Sequence, residues 1–143
     1  MSAAPDDAAV LAGLASASRE ARAELAAAVA AVEEASGPLV EWRGGERQAG
    51  GAITMPWAAY AEPVSALLGA LGRAGAVPVF DWMRWDGARR YRTAGDVAAA
   101  PLADVARLVT TIVRGDRFAE GTVAAALEDG RLLAAARRVR DGR

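Results

Sequence analysis

The sequence contains no cysteine, no histidine and no lysine. Without cysteine there is no disulfide scaffold, no thiol nucleophile and no thiolate metal ligand. Without histidine there is no imidazole for a triad or a proton shuttle, and with both absent the common zinc sites go too. Without lysine there is no Schiff base and no phosphate-loop ammonium. Chemistry near neutral pH would fall to carboxylates, hydroxyls, tyrosine or arginine. Aromatics are scarce at 6%, with two Phe and two Tyr beside four Trp. No uncharged apolar run reaches the roughly 18 residues a membrane span requires. Met1 to Asp7 carries two acids and no basic residue, unlike a secretory signal, so the expected compartment is the cytoplasm.

What is present is alanine, the best helix former, in a chain of 143 residues that is 53% hydrophobic and 24% charged. That is enough chain for one domain with a core of its own. All 17 basic residues are arginine, a bias that a GC-rich genome produces without any functional reason. The net charge of −1 hides an asymmetry. Residues 1–83 hold five Arg and ten acids (−5), and residues 84–143 hold twelve Arg and eight acids (+4). The basic half is compatible with an anionic partner.

Residues Ala8 to Ala35 read as one long helix, capped by Asp6 or Asp7 and stopped by Ser36-Gly37-Pro38. Leu11, Ser18, Leu25 and Val32 recur every seventh residue, with Leu14, Ala21, Ala28 and Ala35 on the companion position. That narrow seam can pack on its own domain or on a second copy in a homodimer. Pro38 to Trp42 and Ile53 to Met55 look like two short extended pieces joined by a glycine-rich turn, as a small hairpin or a plain loop. The glycines lack the spacing of a dinucleotide fingerprint. A helix from Ala58 or Pro63 to Arg73 follows, ended by Gly75, then an extended Val77-Pro78-Val79-Phe80. Residues 81–95 read as irregular. Helices are expected over about 102–114, 121–128 and 131–140. The fold class is mainly α with at most a small two- or three-stranded sheet. It is expected as one compact domain over 1–143 with about five helices: a long N-terminal helix within 1–36 and a core over 37–143.

Two constellations stand out. In Phe80-Asp81-Trp82-Met83-Arg84-Trp85-Asp86, two indoles three residues apart bracket an arginine. They can floor a pocket, or they can seal the end of the core with Arg84 stacked outside. In Arg114-Gly115-Asp116-Arg117-Phe118-Ala119-Glu120-Gly121, Asp116 can cap the following helix and Phe118 can anchor in the core. Arg117 and Glu120 can pair with each other or with Asp81 or Asp86, while Gly121 points to a tight turn or a close backbone approach. Read functionally, Asp116 and Glu120 form a carboxylate pair and Arg114 or Arg117 grips an anion. Two carboxylates do not fill a metal shell, and no metal or cofactor is expected. A structural Arg–carboxylate network accounts for the same residues.

Phe80-Asp81-Trp82 with Trp85, followed by Arg114-x-Asp116-Arg117-Phe118-x-Glu120-Gly121 and Glu128-x-Gly130, resembles an uncharacterised bacterial family of small proteins, a domain of unknown function. The resemblance covers roughly Met55 to Val139. It brings no activity, cofactor or substrate, and implies only that the two constellations belong together.

The leading expectation is a small non-enzymatic binding domain. Its contact residues would be Asp81, Trp82, Arg84, Trp85, Arg114, Asp116, Arg117 and Glu120. One alternative is nucleic-acid binding through the arginine-rich C-terminal half, where Arg131, Arg137, Arg138, Arg140 and Arg143 cluster. The other is a hydrolase using Asp116 and Glu120, which needs the carboxyls about 5–9 Å apart in an open cleft.

Overall fold

A computed structural model describes residues 6–143 of the chain. The reading of Met1 to Pro5 therefore lies outside the described residues. The elements, in chain order, are α1 (Asp7–Ala15), α2 (Arg19–Glu34), β1 (Val40–Arg43), β2 (Trp57–Tyr60), α3 (Glu62–Arg73), α4 (Ala94–Ala99), α5 (Leu102–Gly115), α6 (Thr122–Glu128) and α7 (Arg131–Asp141). Two single-turn 3₁₀ helices, Trp82–Arg84 and Gly87–Arg90, precede α4. The architecture is helical with one small antiparallel sheet, as expected. Seven α-helices are present among the described residues where about five are expected from the sequence.

The first difference is at the N-terminus, where two helices replace one. Asp6 caps α1 through its carboxylate, which accepts from the Ala9 N–H at 2.7 Å. The chain breaks at Ser16-Ala17-Ser18 because Ser18 leaves the helix and caps α2, its hydroxyl accepting from the Ala21 N–H at 3.0 Å. Arg22 holds the elbow by donating to the Ala15 carbonyl at 2.7 Å. Ser18 is thus a cap and not a seam residue, and Leu11 stays exposed. Leu25, Val29 and Val32 turn into the chain's own core, where α2 packs on α3 and α7. Leu25, Ala28 and Val32 of the seam are buried within the chain's own domain.

The core lies around α5, whose Val105, Leu108, Val109 and Ile112 are buried at the expected spacing. Val64, Leu67 and Leu71 of α3 and Leu132 of α7 fill it. Alanine contributes by being small. Ala70, Ala126, Ala135 and Ala136 are completely buried, so the helices approach closely with few large side chains. Thr93 and Asp96 form a capping box that starts α4 within the stretch expected to be irregular.

The hairpin differs in register from the expectation. Val40 pairs with Tyr60 and Arg43 with Trp57, so the second strand is Trp57–Tyr60 and not Ile53–Met55, which carries only an isolated bridge from Ile53 to Arg47. Ala58 therefore belongs to a strand, and α3 starts at Glu62. Val77 to Phe80 forms no strand. The hairpin's inner face, Val40, Trp42, Ala58 and Tyr60, lies towards the α5–α6 connection, while Arg43 and Trp57 share the outer face.

Candidate functional site

The α5–α6 connection and the Trp-bearing 3₁₀ turn meet. The Trp82 ring lies 5.9 Å from the Phe118 ring, tilted by 41°. A Cβ on Gly115 would sit 3.9 Å from the Trp82 ring. Trp85 points elsewhere. It makes an edge contact with Phe80 at 6.2 Å and stacks with Tyr91 at 6.5 Å. The two indoles are both half-buried and divide the expected roles: Trp85 packs against the core, and Trp82 packs against Phe118. Arg84 stacks on neither; it pairs with Asp81 at 3.4 Å in the open.

Asp116 and Glu120 hold the hairpin. The Tyr60 hydroxyl donates to Asp116 Oδ1 at 2.8 Å, and the same oxygen accepts from the Val123 N–H at 3.0 Å. Asp116 thus caps α6, as its position in the sequence led one to expect. The Tyr60 oxygen in turn accepts from the Ala124 N–H at 3.2 Å. Glu120 Oε1 accepts from the Ala58 N–H at 2.7 Å, so it pairs with a strand backbone and not with Arg117. Trp42 lies over Gly121, where a Cβ would come 2.6 Å from the indole. Both carboxylates of the hydrolase reading are thus occupied by contacts that join β1–β2 to α5–α6.

Phe118 is not a core anchor: it is 72% exposed. Its ring meets that of Trp82, while Met83 and Trp42 are exposed on the neighbouring turn and hairpin. Of the exposed large hydrophobics, Trp42, Ile53, Met55 and Trp57 are on the hairpin, and Val79, Met83 and Phe118 on the two connections; only Leu11 lies elsewhere among the described residues. Sequence reasoning missed Trp42, Trp57 and Tyr60. The available signal was two more indoles and a tyrosine on a short β-rich stretch, in a chain with eight aromatics in total.

Arg114 and Arg117 are exposed and make no ion pair among the described residues. They edge a shallow groove of about 390 Å³ whose apolar lining is Leu68, Val77 and Val113. Most other arginines of the basic half are taken up by the fold. Arg107 bridges Asp7 and Asp104, Arg137 and Arg140 reach Glu33, and Arg131 pairs with Asp129. Arg138 donates to the carbonyls of Val97, Ala98 and Ala100. Part of the charge asymmetry between the halves is met internally, by Asp7 against Arg107 and by Glu33 against Arg137 and Arg140.

The absence of histidine and cysteine has a measurable consequence. Burial first, then Asp116, raises the Tyr60 hydroxyl above its ordinary value, and burial with Asp104 raises Tyr91. A raised tyrosine stabilises the fold fully below about pH 10, and the contribution is lost as pH climbs through the folded value. At the acid end the Arg92 and Thr93 N–H groups lower Asp96, while Arg73 lowers Glu24 and Arg140 lowers Asp141. Their contribution is present above the ordinary 3.8–4.5 range and is lost as pH falls through the lowered values. The thermal midpoint should be flat from about pH 5 to about pH 9 and fall on both sides. A step near neutral pH in a series of melts would contradict this.

A family model matches residues 17–143. The chain belongs to a family of unknown function, DUF6508. The DUF6508 match is wider than the Met55 to Val139 resemblance and takes in α2 and the hairpin, with α1 lying before it. No curated protein and no solved structure matches the chain. Among the described residues no helix is long and apolar enough to cross a membrane, and no three His, Cys, Asp or Glu side chains are grouped to hold a metal ion.

Proposed function

We propose that this DUF6508 domain is a protein-binding module, not an enzyme, that docks a partner on the ridge formed by Trp42, Trp82, Met83 and Phe118. The observation that carries this reading is the concentration of exposed large apolar side chains on the hairpin and its two neighbouring connections. Scattered exposed apolar residues are ordinary, whereas a contiguous group built around aromatics marks an interface. Arg114 and Arg117, free of internal carboxylates and next to Phe118, favour a partner with acidic groups at the edge of the contact. The hydrolase reading has no support of this kind, because Asp116 and Glu120 already serve the hairpin.

The test compares retention of proteins from source-cell extract on the immobilised wild-type chain, on Phe118→Ala and on Leu11→Ala as an exposed control. A partner held by wild type and Leu11→Ala should be lost from Phe118→Ala. Titrating that partner should show a loss of about 2 kcal/mol, roughly 30-fold. Phe118 is largely exposed, so the fold should survive its truncation. Equal retention by both variants, or retention of nucleic acid alone, would overturn the reading.

A further inference from the structure

A cavity of about 470 Å³ opens between the α1–α2 elbow and the C-terminal end of α7. It shares no residue with the ridge. The apolar part of its wall is formed by Leu14 from α1, Leu25 from α2, Leu102 from α5 and Val139 from α7. The polar groups at its edge are Arg22, Arg140 and Asp141. Arg140 is paired with Asp141 at 2.9 Å and with Glu33 at 3.6 Å. Arg22 remains: its Nη2 donates to the Ala15 carbonyl, and it has no carboxylate partner among the described residues.

The placement of Arg22 runs against local helix energetics. It lies in the first turn of α2, where the macrodipole favours anions and a cation is unfavourable. Its bond to the Ala15 carbonyl accounts for one nitrogen and leaves the rest of the fork for another acceptor. An apolar chamber of ordinary ligand size with one uncompensated guanidinium at its mouth is complementary to an apolar molecule bearing a carboxylate.

We infer that this cavity is a binding site for an aliphatic carboxylate. The chain packs among Leu14, Leu25, Leu102 and Val139, and the carboxylate takes the free donors of Arg22. Each buried methylene should tighten binding about fourfold, so affinity should rise with the length of the aliphatic tail until the cavity is filled. One wall, Leu11 to Ala15, precedes the residues matched by the DUF6508 model, and the rest of the lining lies within them.

Titration calorimetry of the full chain with decanoate below its micellar concentration tests this, with decanol as the uncharged probe. Decanoate should bind with one-to-one stoichiometry, and decanol about tenfold or more weaker. Arg22→Gln, with its fold checked by circular dichroism and thermal melting, should weaken decanoate about tenfold while leaving decanol unchanged. Ala15→Phe, on an exposed wall position, should abolish binding of both, with its fold checked by circular dichroism and thermal melting. No binding by the wild type, decanol binding as well as decanoate, or full affinity in a folded Ala15→Phe variant would each overturn the assignment.

Discussion

Replacing Asp116 with alanine should lower the stability of the domain by about 3 kcal/mol, because two partners lose a charged acceptor at once. Tyr60 would keep the Ala124 N–H but have nowhere to send its own proton. Val123 would lose the cap on its backbone N–H at the start of α6. A hydrogen bond to a charged group contributes about 1.5–3 kcal/mol where it is shielded, and Asp116 is only half-buried, so the two do not reach the upper limit. For a domain of this size the thermal midpoint should fall by about 10 °C. Asp116→Asn retains the accepting oxygen and should cost only about 1 kcal/mol. A cycle with Tyr60→Phe should show a coupling of about 1 kcal/mol or more. These values separate the joining role from a catalytic one, since removing a carboxylate kept for chemistry is commonly neutral or stabilising. An Asp116→Ala variant as stable as the wild type would mean that contacts other than this carboxylate hold the hairpin to the α5–α6 turn.

Which parts of this were legible in the sequence follows from the range of the interactions. The ends of α2, α3, α6 and α7 are fixed by neighbours within a few residues. Ser36-Gly37-Pro38, Gly75 and Asp129-Gly130 could therefore be read directly. The buried face of α5 repeats at helical spacing and was equally plain. The break at Ser18 was not, because a serine every seventh residue fits a seam as well as a cap. Only the packing of Leu25 and Val32 onto α3 and α7 decides between them. Trp57-Ala58-Ala59-Tyr60 has mixed propensities, alanine favouring helix and the aromatics strand, and becomes a strand through pairing with Val40–Arg43, far back in the chain.

The candidate site divides in the same way. That Asp116 caps α6 is a local matter and could be read directly, whereas the meeting of the two constellations was implied only by the family resemblance. That Glu120 reaches the Ala58 N–H across 62 positions was not. The expectation that Phe118 anchors in the core failed for a related reason. An aromatic in a turn between two helices is ordinarily drawn inward, but here Trp82 and the hairpin shape the surface on which it lies. The eight expected contact residues thus separate into Trp82, Arg114 and Arg117 at or beside the proposed surface, Asp81 and Arg84 paired in the open, and Trp85, Asp116 and Glu120 spent on the fold.

The close approach of Trp42 to Gly121 gives the second large effect. Gly121 has φ +89° and Gly130 has φ +84°, so alanine at either meets a similar left-handed penalty of about 1 kcal/mol. Their surroundings differ. A Cβ at Gly130 would meet Ala94 at 3.4 Å, an ordinary contact, whereas at Gly121 it would be 2.6 Å from the Trp42 ring. Gly121→Ala must therefore shift the far edge of the exposed indole, and the expected cost is about 2 kcal/mol against about 1 kcal/mol for Gly130→Ala. Trp42→Ala should relieve most of that excess, so the double variant should be more stable than the sum of the single costs predicts. Because Trp42 also forms one end of the proposed ridge, Gly121→Ala should weaken partner binding, and Gly130→Ala should not. Equal costs at the two glycines, measured by chemical denaturation, would mean that the indole does not rest on the turn. The ridge would then lose the contact that joins the hairpin to Phe118 and Trp82.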